Sequence, residues 1–414
     1  VLLGAFVVNA NSFDGITDSA GPLAGVRVLD AARVLAGPFC GQLFADLGAD
    51  VIKLERPGHG DDTRGWGPPF LGDFSAYFLS CNRSKRSITL DIAKPEGQVL
   101  FHELLAKSDV LIENFRTDSV EKLGLGAEQL LARHPRLVAC SISGFGRDGP
   151  LKDAPGYDFA IQAMSGLMDI TGPVEGPPSK VGVAVADVLT GLYAATAILA
   201  CLHARNQSGH GYAIDLALLD CALAAQVNVA QAYLASGEVP ARQGNAHLQI
   251  VPYQLFATAD GWLVLNVGND SQWQSFCQAA GANELGGEPR YLSNRQRVEV
   301  RAELIPQVEA LLRSLPTREW EKRLSEANVP HAVVWSYADL FAQPQVAARG
   351  MKLTVRDASG NPVDLVGNPI HLKGSTLPEP RMPPALGEQT ASLLQELLGL
   401  DAAAVQELHQ RGVV

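Results

Sequence analysis

The feature that most constrains the fold is an alternation of short apolar strand signals and helical segments through the first half of the chain. Val26–Asp30 reads as a buried strand and Val51–Leu54 as a second. Between them, Gly41–Gly48 has helical spacing and ends in a glycine suited to a helix C-cap. Ser87–Ile92, Val110–Asn114 and Leu137–Ile142 are further short apolar runs, separated by Pro95–Lys107 and Gly126–Arg133 with helical periodicity. Strands that are apolar throughout, joined by helices, bury both faces in a parallel sheet. Such a sheet carries its functional loops at the carboxyl ends of the strands. That directs attention to residues 35–41, 55–70, 113–115 and 143–150.

The chain has 414 residues, so two domains are expected, and with 47% apolar and 19% charged residues it can bury a large core. From Tyr157 to Gln231 the pattern is mainly helical and rich in alanine and leucine, with breaks at Thr171–Val185 and Gly209–Ala213. After Pro240 the texture changes. Tyr253–Ala257 and Trp262–Val267, joined through Ala259-Asp260-Gly261, form a hairpin signature, and helical segments Ser271–Ala280 and Arg297–Leu312 follow. The tail from Leu353 is strand-like and closes with a helix over Leu386–Leu398. The expected class is α/β: a large Rossmann-like parallel-sheet domain over residues 22–225, completed by about 350–414, and a smaller α+β domain over 240–345.

Composition excludes several functions. The net charge of −11 disfavours a nucleic-acid partner, because phosphate binding needs a basic face. No uncharged apolar run of about 18 residues marks a membrane span, and Val188–Cys201 reads as a buried helix too short for one. The apolar start lacks a basic flank, and Asp14 and Asp18 precede the first cation, Arg27, so neither a signal nor a transit peptide is expected. Six widely spaced cysteines, none in a C-x-x-C pair, read as buried free thiols in a reducing, cytoplasmic setting, or the mitochondrial matrix in a eukaryote. No metal-ligand spacing occurs, and neither a G-x-G-x-x-G nor a P-loop pattern is present.

Two constellations could carry chemistry. Val181–Ala186 reads as a strand-like run that delivers one carboxylate, Asp187, to the start of a long apolar helix. The plain reading is an N-cap. A carboxylate held by helix amides also stays ionised, as a nucleophile must. The second constellation is basic. Arg83, Lys85 and Arg86 fall within four residues just ahead of a strand, Arg56 follows another, and Arg64 and Lys122 lie further off. Such a run is usually a solvated face, but cations at strand carboxyl ends also suit the phosphates of a nucleotide. Gly244, Asn245 and His247 open an exposed loop before the hairpin.

In order, PLAGVRVLD, ARVLAGP, LGADVIKLERPGHGDDTR, NRSKRSITLD, ENFR with LGLG, SISGFG, GYDFAIQAMSGLM, ADVLTG and PPALGEQT resemble the class III CoA-transferase family of the formyl-CoA and carnitine-CoA transferase type. The resemblance runs from about Pro22 to the C-terminus. It implies a CoA thioester as substrate, with no permanently bound cofactor, and Asp187 as a nucleophile forming aspartyl anhydride and aspartyl-CoA intermediates. It also implies an interlocked homodimer. Arg56, Lys85, Arg86, Asn114, Phe115 and Lys122 are implied to meet CoA, with Lys122 replacing a family arginine. Leu35 stands where formyl-CoA transferases have glutamine, which argues against oxalate or formate. Oxyanion contacts are implied near Gly244, Asn245 and His247. The family also contains 2-methylacyl-CoA racemases, which carry a histidine where this chain has Tyr157. A phenol of ordinary pKa near 10 cannot take that base's part, which favours transfer. GDDTRGWGPPF, GLMDITGP and Ala246–Phe256 most resemble the branch acting on succinate and glutarate. For the second carboxylate of such acids, Arg64 and His247 are the candidates.

Overall fold

The computed structural model describes residues 21–414; the signal- and transit-peptide readings fall on the first twenty residues, outside the described ones. The chain divides into two compact units. The larger comprises residues 21–165 together with Val183–Val227 and Ala347–Val414; the smaller comprises Gly166–Gly182 and Asn228–Val346. The smaller unit therefore includes a segment, residues 166–182, that sequence reading assigned to the larger one.

In chain order the larger unit contains β1 (Arg27–Asp30), α1 (Ala36–Asp46), β2 (Asp50–Glu55), a short ribbon of β3 (Phe70–Leu71) and β4 (Phe74–Ser75), α2 (Ala76–Cys81), β5 (Arg86–Thr89) and α3 (Pro95–Leu105). It continues through β6 (Val110–Glu113), α4 (Thr117–Lys122), α5 (Ala127–Arg133), β7 (Val138–Ser143), α6 (Asp158–Met164), α7 (Val185–Ser208), β8 (Tyr212–Ala217) and α8 (Leu218–Ala224). Six strands form one sheet in the order β5-β2-β1-β6-β7-β8, every pair parallel. The chain builds outward from β1 to one edge and then returns to build from β1 to the other, which is the doubly wound order.

Each strand divides its apolar residues by parity. Val28, Val110, Ile112, Val138 and Cys140 join a core with α1, α7 and α8. Leu29, Ile52, Leu54, Leu111 and Ala139 join another with α3, α5 and the C-terminal helix Thr390–Leu398. The expected alternation of strand and helix therefore holds at β1, β2, β5, β6 and β7. Beyond them the structure corrects it in two places. Tyr212–Ala217, taken as the end of a helical break and more helix, is the edge strand β8, paired with β7 from Val138↔Tyr212 onward. Val181–Ala186 is not a strand: residues 181–184 belong to no assigned element, and helix geometry begins at Val185. That helix runs 24 residues to Ser208, where Gly209 at φ 77° ends it. By length and composition α7 could cross a membrane, whereas the sequence reading judged a shorter segment inadequate. In this unit it packs one face against α1, β7 and β8.

A two-stranded hairpin, β12 (Lys352–Arg356) and β13 (Pro362–Val366), belongs to the same unit. The smaller unit is α+β. Its antiparallel sheet has β10 (Trp262–Asn266) between β9 (Tyr253–Ala257) and β11 (His331–Val333). Phe256, Leu263 and Leu265 pack there on Trp273, Phe276, Leu304, Val308 and Trp320 from its helices.

Candidate active site

Where the winding reverses, between β1 and β6, the loops leaving the two strands part and open a crevice. The loop after β1 is held from several sides. The Asn114 side chain, just past β6, accepts from the Arg33 N–H at 2.9 Å and donates to the Arg33 carbonyl at 2.9 Å. Val34 sits at φ 71°, a costly conformation for a β-branched residue. Its N–H points at both oxygens of Asp61, 3.3 Å from each. Asp61 is in turn paired at 2.8 Å with Lys53, both side chains fully buried. Burial alone would raise the Asp61 pKa, but the Lys53 ammonium and the Thr63 hydrogen bonds outweigh it and hold the carboxylate at about 2. This buried pair fixes the strained turn that starts α1.

The crevice is a cavity of about 460 Å³ whose walls include Arg33, Asn114, Phe115, Tyr157 and Asp187. Asp187 is part-buried in the first turn of α7 but is not its cap. That role falls to Asp158 at the start of α6, whose Oδ1 accepts from the amides of Ala186 at 2.8 Å and Asp187 at 3.4 Å. Its Oδ2 accepts from the Gln162 amide at 2.7 Å. The helix amides thus serve Asp158, and Asp187 is left to face the cavity. Desolvation raises the Asp187 pKa most, the neighbouring Asp158 charge adds to it, and a hydrogen bond from the Ala36 N–H at the start of α1 opposes both, leaving it at about 7. The expectation that Asp187 caps its own helix and is kept ionised by that helix's amides is corrected on that ground.

The close approach of α1 and α7 delivers the Ala36 amide. It depends on Gly191, where a Cβ would come within 2.7 Å of the Ala36 carbonyl. Tyr77 on α2 also lies in the field of Asp187. Burial first, and then that carboxylate, raise its phenol to about 12, and its ring meets Trp66 edge-on at 5.2 Å. Sequence reading missed Ala36, Tyr77 and Asp158. The last lies beside Tyr157, in a segment already singled out.

The basic run is not a solvated phosphate cradle. Lys85 is buried and its ammonium donates to Asp30, the Pro38 carbonyl and Asn82, each at 2.8 Å. Arg86 is bidentate to Asp50, at 2.9 and 2.6 Å, and pairs with Glu396. Arg83 is likewise buried against Asp46. The turn at Ser84, φ 63°, directs residues 83 and 85 inward to waiting carboxylates. Arg64, offered above for a substrate carboxylate, is bound by Glu55 at 2.7 and 2.6 Å and lies over the Phe78 ring.

Arg56 is exposed on the turn after β2, where its carbonyl accepts from His59 and Gly60. Lys122 is exposed on α4, 3.7 Å from Asp118. Leu35 stands at the N-cap position of α1, part-buried and next to Ala36. Tyr157 is 69% exposed beside the cavity. In the smaller unit Gly244 turns at φ 60°, and Asn245 follows it. His247 donates its N–H to Tyr253 at 2.9 Å while its Nδ1 accepts from Gln249 at 3.0 Å.

A part-buried carboxylate facing a switch-point cavity can attack an activated carbonyl, with a helix N-terminal amide beside it. The profile of CoA-transferase family III matches residues 23–390. The succinate–glutarate CoA-transferase of Agrobacterium fabrum is 44% identical over 394 residues, covering 92% of this chain and 97% of its own. The succinyl-CoA:glutarate CoA-transferase of Homo sapiens is 40% identical over 393 residues, covering 95% and 90%. The crystal structure of a CAIB/BAIF family protein from Brucella suis matches with a TM-score of 0.80 at 43% identity, over 91% of this chain and 100% of that one. With the family profile matching residues 23–390 and relatives 40% and 44% identical over 95% and 92% of the chain, the protein belongs to CoA-transferase family III.

Proposed function

We propose that the enzyme moves CoA from succinyl-CoA to a dicarboxylic acid such as glutarate, with Asp187 as the nucleophile. The observation that carries this reading is the Asp187 carboxylate itself, part-buried on the switch-point cavity with the Ala36 amide beside it. The carboxylate attacks the thioester carbonyl, the C–S bond breaks, and CoA leaves as thiolate from a mixed anhydride. The thiolate attacks the aspartyl carbonyl and releases the donor carboxylate, leaving an aspartyl-CoA thioester. The acceptor carboxylate then displaces the thiolate, and the thiolate takes the acceptor's acyl carbon from the second anhydride, restoring Asp187. No proton is consumed, and the thioester's energy is kept so long as water is excluded.

Each tetrahedral step places charge on an oxygen. The N-terminus of α1 is a source of donors for it. Asn114 and Phe115 on the cavity wall, with the exposed Arg56 and Lys122, are assigned to CoA. A homodimer accords with the apolar side chains left exposed along α7, among them Leu192, Tyr193 and Leu199. Buried, unpaired cysteines accord with a reducing compartment. The test is mass spectrometry after incubation with succinyl-CoA, using hydroxylamine or borohydride to trap the adduct. Modification mapped to Asp187, with glutaryl-CoA formed on adding glutarate, is expected. An unmodified Asp187, with solvent deuterium entering a 2-methylacyl-CoA instead, refutes the reading.

A further inference from the structure

A dicarboxylic acid held with one carboxylate at Asp187 leaves a second charge inside the same cavity, and a charge there needs a partner. The structure removes Arg64 from consideration, because Glu55 occupies it. Arg147, also on the cavity wall, is consumed by Glu113 at 3.0 Å and by the Phe115 carbonyl at 2.7 Å. Arg116 is 83% exposed and turned to Asp118.

Arg33 differs from these. Its main chain is clamped on both sides by the Asn114 amide, so the root of the side chain is fixed. It lies three residues before Ala36, whose N–H meets Asp187, which limits the Cα–Cα distance to about 11 Å. Its guanidinium rests on Asp62 at 3.2 Å in a pair with side chains 57% and 53% exposed, and both residues line the cavity. Exposed pairs of this kind are weak and readily exchanged. A guanidinium can meet an incoming carboxylate with two parallel hydrogen bonds. The carboxyl carbons of a five-carbon diacid are about 5 Å apart, within what a long arginine side chain rooted at this distance can span.

We propose that Arg33 is the specificity-determining residue that binds the remote carboxylate of the dicarboxylic acid, with Asp62 as its resting partner. This rests on the dicarboxylate reading above and names the group that selects for it. Binding exchanges one carboxylate for another on the same guanidinium, so Asp62 competes with substrate.

The experiment sets glutarate against butyrate as competing acceptors, with succinyl-CoA as donor. Both acids then draw on one loaded enzyme, and the product ratio reports acceptor selection alone. The native protein is measured first. Failure to transfer CoA to either acid overturns the dicarboxylate-transfer reading itself. Given transfer, Arg33→Gln is expected to lower the glutarate-to-butyrate ratio by about 10- to 100-fold, in line with a lost charge-assisted contact. Arg33→Lys is expected to recover part of it, and Asp62→Asn to lower the KM for glutarate severalfold. An unchanged ratio in Arg33→Gln, or equal losses for both acids, overturns the assignment of Arg33 while leaving dicarboxylate transfer standing.

Discussion

Replacing Asp158 by asparagine separates two effects that the native carboxylate combines. Asparagine keeps an oxygen for the Ala186 and Asp187 amides, so the cap on α7 survives. Its amide nitrogen would face the Gln162 nitrogen that now donates to Asp158, and Gln162 must turn its own amide, losing its bond to the Val183 carbonyl at a cost of about 1 kcal/mol. The larger consequence is electrostatic. Two unit charges roughly 6 Å apart at an effective dielectric of about 20 interact by about 3 kcal/mol, or about two pKa units. Access of water from the cavity reduces this, and desolvation, the larger cause of the raised Asp187 pKa, is untouched. The Asp187 value should therefore fall from about 7 by roughly one unit. The nucleophile must be ionised, so kcat/KM for succinyl-CoA in the native enzyme rises with pH through about 7. In Asp158→Asn that rise should move about one unit toward acid. The assay is kcat/KM against pH from 5 to 9. A limb that stays in place, or moves toward base, refutes the coupling. Asp158→Ala should show the same displacement together with about 1 kcal/mol of lost stability from the missing cap.

Gly191→Ala should force α7 away from the Ala36 carbonyl, cost about 1–3 kcal/mol in urea unfolding, and lower kcat more than it changes KM. Lys85→Met leaves Asp30 buried without its cation and should cost about 3–5 kcal/mol in the same assay, whereas a phosphate ligand on the surface would instead raise the KM for CoA. Asp187→Asn should raise the melting temperature at pH 8. The folded pKa of about 7 lies above the ordinary 3.8, so the stability linked to this group is present below 3.8 and lost as pH rises through 7. After discounting for partial exposure the gain is about 1–2 kcal/mol at pH 8 and shrinks toward pH 5, read by calorimetry.

The strands β1, β2, β6 and β7 were legible because each carries consecutive apolar residues buried on both faces, and β5 through its β-branched Ile88 and Thr89. β8 was not. Tyr212–Ala217 mixes alanine, leucine and an aspartate, a composition that suits the helices around it equally, and only its pairing with β7 decides. The same limit governs the charges. Arg83, Lys85 and Arg86 are visible as a cluster, but Asp46, Asp30 and Asp50, which neutralise them, come from segments more than thirty residues away. Asp187 stood out from its apolar setting, and the family resemblance gave it a role. The pairing with Asp158, twenty-nine residues earlier, follows no periodicity, and so the source of the helix cap and of the raised pKa could not be read from spacing.

A carboxylate with a pKa near 7 is a sensible choice for the proposed chemistry. Burial and the Asp158 charge raise the energy of ionised Asp187, and every unit of displacement is worth about 1.4 kcal/mol. Conversion to an anhydride or a thioester removes that charge, so the same electrostatic penalty that destabilises the resting enzyme favours its acylated forms. The substrate acids, with ordinary carboxyl groups in water, carry no such penalty. The Ala36 amide limits the effect, since a hydrogen bond to the carboxylate restores part of its stability. The position of α1 against α7, set by Gly191 and by the Lys53–Asp61 anchor of the Val34 turn, thus adjusts how far the free nucleophile lies above its covalent intermediates. A shift that relaxed this contact would leave Asp187 in place and alter its reactivity, which is why loss of kcat without loss of CoA binding is the signature expected from Gly191→Ala.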